Sequence, residues 1–469
     1  MLTFLNRHVA QPYFARRARS RHLHFLKLLE QTQFDPPAVV AARQLAALKV
    51  QLHHAYATVP YYRRVWDAAG VHPADVKALA DLTAFPVLTK ADIRAHEAEL
   101  LSGPYRGAKL RLKRTSGSTG VPLSIRVDEP AMQWKHACTI RSDQWSGYRL
   151  GQRVAKVWGN PEYLHHGWRG RLRNRVLDRA VYLDTIHLTD LKVADFAAEL
   201  RRHRPGLVFG HAHSLYLVAC HLKKAGVLDI RPNGIISTAM VLHDYQRKVI
   251  AEVFGTRVTN RYGCEEVSLI ASECEEHAGL HVNADNVYVE QASGGRESAV
   301  SCAPSGDENS RLTPAARPLL VTDLVNRAMP LIRYAIGDVA VGAGRACSCG
   351  RGLPLLDRIE GREADYVVTP AGTLVSGISL TENFALLIDG TAQVQIVQES
   401  VYDLRIRLVA GDGFGPASHV QIEKLVRDTF GPAVRFAVEL VDAIPQEPSG
   451  KYRFCISKVA RDHLQALSA

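Results

Sequence analysis

The middle of the chain alternates short runs rich in β-branched residues with segments of helical spacing. The pattern predicts five successive elements: a strand at 207–210, a helix at 213–224, a strand at 234–238, a helix at 243–254 and a strand at 257–260. Strands that are connected through helices run parallel. We therefore expect an α/β fold with helices on both faces of a parallel sheet, and a ligand site where the strands end. Tyr262-Gly263 follows the third strand and is predicted to form a turn at that edge.

The segment from Lys113 to Pro122 concentrates glycines and hydroxyl side chains. Glycines allow consecutive backbone N–H groups to turn toward one anion, and the hydroxyls add further donors. It is not a Walker loop, since no Gly-Lys-Ser/Thr opens a helix and residues 123–127 predict a strand. A plain hairpin turn is the alternative. The candidate phosphate-binding residues are Thr115, Ser116, Gly117, Ser118, Thr119 and Gly120.

Four other segments follow in a fixed order: RYGCEE at 261–266, YAIGD at 334–338, IEGREAD at 359–365 and PQEPSGKYR at 445–453. Together with the first segment they resemble the motifs of the adenylate-forming superfamily, which contains acyl-CoA synthetases and adenylation domains. Two earlier segments, AYATVPYY at 55–62 and FPVLTKAD at 85–92, are typical of the branch of phenylacetate-CoA ligases and CapK-like proteins of capsule biosynthesis. The resemblance extends from about residue 45 to residue 460.

This resemblance implies the adenylate-forming ligase fold. A large N-terminal domain over 1–360, built from stacked βαβ sheets, would bind ATP and the acid, and a small α+β lid domain would cover 361–469. The sequence after Gly361 agrees, because it predicts strands at 393–397, 402–409 and 434–441 and a helix at 418–430. The hinge between the domains is expected at 360–366.

The resemblance also implies a reaction. A carboxylate attacks the α-phosphorus of ATP, pyrophosphate leaves, and the acyl group of the resulting acyl-adenylate passes to an acceptor. The catalytic residues would be Lys451, which offsets the charge that develops at the α-phosphate, and Glu266, which helps to hold Mg²⁺. The remaining nucleotide-binding candidates are the loop residues above together with Tyr262, Gly263, Glu265, Asp338 and Arg362, of which Asp338 and Arg362 would contact the ribose.

Three positions depart from the family pattern. Glu265 replaces a threonine that touches the α-phosphate, so we expect its carboxylate either to point away from the triphosphate or to assist the metal. Ala364 replaces a charged hinge residue, and Val241 stands where relatives have a glutamate near the ligand. His211 or His213 could contact the acid, although capping or packing of the following helix is the alternative.

Five cysteines and histidines suggest a second site. Cys347 and Cys349 form a C-x-C pair, and the segment CEEHAGLH supplies Cys274, His277 and His281. Two or more thiolates with imidazole suit tetrahedral Zn²⁺, and a site with four protein ligands would be structural. The expected ligands are Cys274, His281, Cys347 and Cys349, with His277 as a substitute. Free thiols in an exposed loop are the alternative.

Composition limits the classes of protein that this chain can represent. It has 469 residues, 46% of them hydrophobic, and no apolar stretch suited to a membrane span or a signal peptide, so a cytoplasmic protein is expected. Its eight cysteines do not resemble a disulfide framework. The formal charge of +11 and the arginines between Arg7 and Arg21 could indicate binding to nucleic acid or to an anionic membrane surface. We interpret them as a solvated basic helix on an enzyme with polyanionic ligands, because no nucleic-acid motif accompanies them.

The acceptor of the acyl group is left open by the sequence. The expected substrate is an aryl carboxylic acid, and coenzyme A is the expected acceptor. The alternative is a ligase of capsule or secondary-metabolite biosynthesis that transfers the acyl group to an amine, a hydroxyl or a carrier protein. A degenerate nucleotide-binding scaffold is the alternative of another class, motivated by the three departures. A homodimer is compatible with the sequence but is not indicated by any motif.

Overall fold

The structure is a computed structural model of the chain. It describes residues 2–114, 123–158, 167–183, 190–291, 298–299, 317–362, 366–370, 374–376, 388–444 and 455–459. The predicted phosphate-binding residues 115–120, Ala364 and Lys451 lie outside the described residues, so their placement stays a prediction.

Helices dominate the first quarter of the chain and then alternate with strands. The described α-helices are α1 (Leu2–Leu5), α2 (Gln11–Arg17), α3 (His22–Thr32), α4 (Pro37–Thr58), α5 (Pro60–Ala69), α6 (Lys90–Ala95), α7 (Glu129–Trp145), α8 (Gly167–Arg173), α9 (Asp190–His203), α10 (Ala212–Lys224), α11 (Asp244–Phe254) and α12 (Pro416–Phe430). Short π-helical segments, Asn6–Ala10 and Asn174–Asp178, continue the chain after α1 and α8. Within the described residues, no helix combines the length and apolar character that a bilayer crossing requires.

The strands of the described residues form one large sheet, one small sheet and two hairpins. In chain order they are β1 (Arg111–Arg114), β2 (Ser124–Val127), β3 (Val154–Val157), β4 (Ala180–Leu183), β5 (Leu207–His211), β6 (Gly234–Thr238), β7 (Val258–Cys264), β8 (Ser268–Glu273), β9 (Leu280–Val282), β10 (Val287–Gln291), β11 (Ser298–Ala299), β12 (Arg317–Asp323), β13 (Tyr334–Gly342), β14 (Leu355–Arg362), β15 (Tyr366–Val368), β16 (Leu374–Ser376), β17 (Thr391–Ser400), β18 (Asp403–Ala410), β19 (Arg435–Leu440) and β20 (Cys455–Ser457).

The large sheet has a parallel half and an antiparallel half. Its order is β11-β10-β12-β13-β14-β9-β8-β7-β6-β5-β3-β4. The predicted succession of strand and helix is confirmed as β5, α10, β6, α11 and β7, which lie in the parallel half with β3 and β4. The predicted parallel sheet is one half of a mixed sheet, because the strands after β7 join through turns and loops and pair antiparallel.

The prediction of a turn at Tyr262-Gly263 is wrong. Both residues lie inside β7, where Tyr262 pairs with Ala271 and Gly263 with Leu269 of β8, and the register shifts between the two pairs. A Cβ at position 263 would lie 2.5 Å from the Ser268 carbonyl oxygen, so a glycine is needed for the close approach of the strands. The turn comes after Cys264.

The small sheet near the C-terminus has the order β19-β18-β17-β20. Strands β17 and β18 pair antiparallel, whereas β18 with β19 and β17 with β20 pair parallel. Ile422, Val426 and Phe430 of α12 pack in one buried cluster with apolar side chains of the sheet. The predicted strand, strand, helix, strand order is therefore confirmed, and β20 is an addition that the sequence did not indicate.

Gly234 at the start of β6 lies where the parallel half of the sheet packs closely on the end of α7. A Cβ at this position would lie 1.8 Å from the Ser146 carbonyl oxygen, which is backbone and cannot move aside as a side chain could. We expect Gly234→Ala to lower the free energy of unfolding by about 1–3 kcal/mol or more, measured by chemical denaturation. Gly103→Ala is the control, since its Cβ would lie an ordinary 3.6 Å from the nearest atom. Equal stability of both variants would contradict the proposed clash.

Candidate functional site

The hairpin β1–β2 carries the candidate phosphate-binding segment. Arg114 pairs with Ser124, so the two ends of the intervening segment are held side by side. Lys113 at its base donates from Nζ to Oγ of Ser268 at 2.9 Å. The start of the segment is thereby fixed against the turn that contains Glu265 and Glu266.

Glu266 is held by a buried tyrosine. Its side chain lies in the core with 6% of the residue exposed, and Tyr334, with 0% exposed, donates from its hydroxyl to Oε1 of Glu266 at 2.8 Å. Burial, followed by the charge of Glu266, raises the pKa of the Tyr334 hydroxyl well above its usual range, which keeps the hydroxyl a donor. The two predicted motifs at 261–266 and 334–338 therefore meet through this hydrogen bond.

A second hydrogen bond joins the same two motifs. Tyr262 donates from its hydroxyl to Oδ2 of Asp338 at 2.7 Å. Asp338 in β13 is also the register partner of Arg362 in β14, so the two predicted ribose-contacting residues are neighbours on adjacent strands. Gly337 has φ of 83°, a conformation that glycine adopts without strain, and this turns the backbone just before Asp338. Tyr262, Asp338 and the backbone of Arg362 thus form one cluster.

The structure places Glu265 beside a cation. Its side chain is 63% exposed, and its Oε2 lies 4.0 Å from Nζ of Lys113. Burial lowers the pKa of the Lys113 ammonium, while the Glu265 carboxylate acts in the opposite direction. An exposed carboxylate with a neighbouring ammonium repels an approaching phosphate less than an isolated one, which supports the expectation that Glu265 does not block the nucleotide.

The predicted metal ligands Cys274, His281, Cys347 and Cys349 come together in the structure. Their donor atoms all lie within 4.8 Å of one another. Sγ of Cys274 is 3.7 Å from Sγ of Cys347, and Sγ of Cys349 is 3.3 Å from Nε2 of His281. Ligand atoms about 2.0–2.3 Å from a tetrahedral Zn²⁺ are separated by roughly 3.3–3.8 Å, so these two distances fit such an ion.

The surroundings of His281 also fit a metal ligand. Its Nδ1 lies 3.4 Å from the carbonyl oxygen of Leu353, which leaves Nε2 directed toward Cys349. Burial lowers the pKa of His281 to about 4, so the imidazole is neutral at physiological pH. The substitute ligand His277 is placed elsewhere, because its Nδ1 lies 3.0 Å from Oε2 of Glu273.

Comparisons with known proteins report what the chain is similar to in sequence and in fold. The family model described as the CapK C-terminal domain matches residues 367–458. A phenylacetate-coenzyme A ligase of Thermus thermophilus is 28% identical over 71% of this chain and 72% of its own length, and protein CapK of Staphylococcus aureus is 22% identical over 81% of each chain. The structure of 2-hydroxyisobutyryl-CoA ligase in the postadenylation state with R3-HIB-AMP has a TM-score of 0.68 at 22% identity and covers 93% of this chain and 94% of that one.

The chain is thus similar to the phenylacetate-CoA ligase and CapK branch of adenylate-forming ligases. The expected fold class is confirmed with it, a large mixed sheet with helices followed by a smaller C-terminal α/β unit.

Two segments typical of this branch of ligases position β13, a role that the sequence did not reveal. Tyr62 of α5 is buried; its hydroxyl donates to the carbonyl oxygen of Pro330 at 2.9 Å and accepts from the Ile332 N–H at 3.0 Å. Leu88 pairs with the same stretch, because its N–H donates to the Arg333 carbonyl and its carbonyl accepts from the Ala335 N–H. The segments 55–62 and 85–92 therefore fix the strand that carries Tyr334 and Asp338.

Aromatic side chains of the ligase gather where the parallel strands end. The Trp158 ring stacks on His211, with 3.7 Å between ring centroids, and on Phe209 at 5.4 Å. The guanidinium of Arg261 lies over the Phe209 ring, 4.5 Å from its centroid. Arg261 also forms an ion pair with Asp143, with 2.6 Å between Nη1 and Oδ1. His211 occupies the N-cap position of α10, but its side chain makes no capping hydrogen bond with the described residues. Trp158 was not predicted from the sequence, and an aromatic residue directly after a strand was its only signal.

The Tyr334–Glu266 hydrogen bond is expected to stabilise this ligase. Tyr334→Phe leaves a buried carboxylate oxygen without its donor, so the free energy of unfolding should fall by about 1–3 kcal/mol in chemical denaturation. Tyr56→Phe is the matched control, since the Tyr56 hydroxyl donates to the carboxylate of Asp67 at an exposed site. The free energy of unfolding of the Tyr56→Phe control should stay close to that of the unmodified protein. An equal loss of unfolding free energy in the two variants would contradict the expectation that the buried hydrogen bond contributes more to stability than the exposed one.

Proposed function

We propose that this protein activates a carboxylic acid with ATP as an acyl-adenylate, releases pyrophosphate and transfers the acyl group to coenzyme A. The observation that carries the proposal is the cluster of Tyr262, Asp338 and Arg362 beside the Glu266–Tyr334 pair. Sequence similarity adds support, because the curated relatives include phenylacetate-coenzyme A ligases.

Each group in the cluster matches one need of the reaction. In the proposed step a carboxylate oxygen forms a bond to the α-phosphorus, and the bond from that phosphorus to the bridging oxygen of pyrophosphate breaks. Asp338 can accept hydrogen bonds from two neighbouring ribose hydroxyls, and Arg362 on the adjacent strand would bind beside it. Residues 115–120 would bind the leaving pyrophosphate, and Lys451 would offset charge at the α-phosphate.

A magnesium ion would be bound by Glu266. The Tyr334 hydroxyl fixes one carboxylate oxygen of Glu266 and so orients the group, while a carboxylate has further lone pairs for a hard cation. The ion, when bound, would neutralise phosphate charge. Glu265 remains outside this role, because it is exposed and lies near Lys113.

An aryl acid is supported by the aromatic cluster of Trp158, Phe209 and His211 at the ends of the parallel strands. Flat rings stack favourably on one another, and sites for small molecules lie at this edge of α/β sheets. Because ATP and coenzyme A are cytoplasmic metabolites, the proposed reaction also supports a cytoplasmic enzyme.

We further propose that the chain divides into an N-terminal domain over 1–360 and a mobile lid domain over 361–469. Two observations support the boundary. The last strand of the large sheet along the chain, β14, ends at Arg362, and the match to the CapK C-terminal domain begins at residue 367. The boundary lies two residues before Arg362, the strand position paired with Asp338, so a rotation there would act close to the ribose.

The four donors Cys274, His281, Cys347 and Cys349 are proposed to hold a structural zinc ion. All four positions would be protein ligands, which leaves no open position for catalysis. The ion would join His281 of β9 to Cys347 and Cys349, which precede β14. The two strands are already neighbours, because Leu355 of β14 is the register partner of His281.

The Lys451 assignment is tested by the release of pyrophosphate from ATP with a panel of carboxylic acids. Lys451→Ala should lower the rate by about 100-fold or more, because the charge at the α-phosphate loses its partner. Lys458→Ala is the control, since that ammonium pairs with Glu399. An unchanged rate in Lys451→Ala would remove the residue from its proposed role.

The same screen separates the possible acceptors. Pyrophosphate release with formation of a thioester supports coenzyme A. Release without a thioester would favour an amine, a hydroxyl or a carrier protein, and tight ATP binding without release for any acid would favour a scaffold.

The zinc proposal predicts about one zinc ion per purified chain, measured by elemental analysis. Cys347→Ser should lose the metal and melt at a lower temperature, because ligand loss opens the site. His277→Asn is the control and should keep the metal, since His277 pairs with Glu273. A stable unmodified protein free of zinc would end the proposal.

A further inference from the structure

Two arginine-rich helical segments lie side by side on the N-terminal part of the molecule. Residues 2–17 and residues 167–178 are named here the arginine-rich surface. Nδ2 of Asn6 donates to the carbonyl oxygens of Val176 at 2.6 Å and Leu177 at 3.3 Å. Arg179 donates from Nη1 to Oγ1 of Thr3 at 3.4 Å and to the Gly151 carbonyl at 2.6 Å. The bonds of Asn6 and Thr3 join segments that are about 170 residues apart in the chain.

The arginine-rich surface exposes large apolar side chains. Trp168, Leu172 and Val176 are 70%, 53% and 44% exposed, and their spacing of four residues places them along one face of the helical segment. The first segment exposes Phe4, Leu5, Val9, Tyr13 and Phe14. Single exposed apolar residues are common on soluble proteins, but a group on two adjacent helices marks an interaction surface.

The charges of the same surface have almost one sign. The first acidic residue of the chain is Glu30, so residues 2–17 contain no carboxylate side chain. In residues 167–178 the one acid is Asp178, which lies 3.2 Å from Arg173. The exposed cations are Arg7, Arg16, Arg17, Arg169, Arg171, Arg173 and Arg175.

We propose that the arginine-rich surface binds an anionic lipid bilayer, with both helical segments lying in the plane of the interface. Arginines attract acidic headgroups, while Trp168, Leu172 and Val176 enter the boundary with the acyl chains. The combination of basic and apolar side chains fits this partner because a bilayer offers both negative charge and an apolar layer at one surface.

Two other partners fit the observations less well. A nucleic acid would pair with the arginines, but its phosphate backbone offers nothing apolar to Leu172, Val176 and Val9. A second copy of this chain would bring arginines against arginines, and like charges at a shared face disfavour association.

The proposal is tested by sedimentation of the full-length protein with vesicles. Vesicles of phosphatidylcholine with phosphatidylglycerol should bind it, and vesicles of phosphatidylcholine alone should bind it at least about ten-fold more weakly. Trp168→Ser with Leu172→Ser should weaken binding to the anionic vesicles by about ten-fold or more, because two apolar contacts are lost. The matched control is Val420→Ser with Leu440→Ser, which removes two side chains that are 69% and 56% exposed elsewhere.

A second measurement keeps the test independent of folding. Trp168→Phe keeps an apolar ring, so binding should persist, while quenching of tryptophan fluorescence by brominated lipids should fall. ATP binding by the Ser variants, measured by calorimetry, should equal that of the unmodified protein, since neither residue belongs to the proposed nucleotide site. Equal vesicle binding by the Ser variants and their control would overturn the proposal. It would also be overturned if the protein bound DNA or RNA but not vesicles, or if the Ser variants abolished a homodimer while vesicle binding was absent.

Discussion

The hydrogen bond between Tyr262 and Asp338 is the contact on which the proposed nucleotide site depends. The two residues lie in β7 and β13, which are separated in the sheet by β8, β9 and β14. Four strand spacings in a flat sheet would place them roughly 19 Å apart. A distance of 2.7 Å between their side-chain oxygens therefore requires that the antiparallel half curls strongly, so that β13 returns to β7. The curl brings together two motifs that are more than 70 residues apart in the chain.

Several backbone and side-chain contacts maintain this curl. Gly263 allows β8 to approach β7 closely, and the register shift beside it bends the pair. On the other side, Tyr62 and Leu88 hold the stretch that leads into β13. Motifs that identify the branch are thus partly structural: they fix the strand whose side chains form the site.

Buried ion pairs have a similar role in the helix that crosses the sheet. Lys135 of α7 is 2.6 Å from Asp323, and Arg141 of the same helix is 2.7 Å from Asp285. Each charge is costly to bury alone, so loss of either partner would be more harmful than loss of the whole pair. Asp323 also accepts from the N–H groups of Val325 and Asn326, which ties the helix to the loop after β12.

The sequence by itself determined the elements and the chemistry that depends on local patterns. Alternating β-branched and helical segments predicted β5 to β7 and the C-terminal sheet, because side-chain periodicity is a local property. Motif order indicated the resemblance to adenylate-forming ligases, and residue type indicated five sulfur and nitrogen donors as candidate zinc ligands, with His277 as the substitute. Tertiary structure decided which candidates meet: it separated His277 from the other donors, extended β7 through Tyr262 and Gly263, and placed residues 2–17 beside residues 167–178. Such contacts depend on strand order and sheet curvature, which arise from packing among segments far apart in the chain and leave no periodic signal in any one of them.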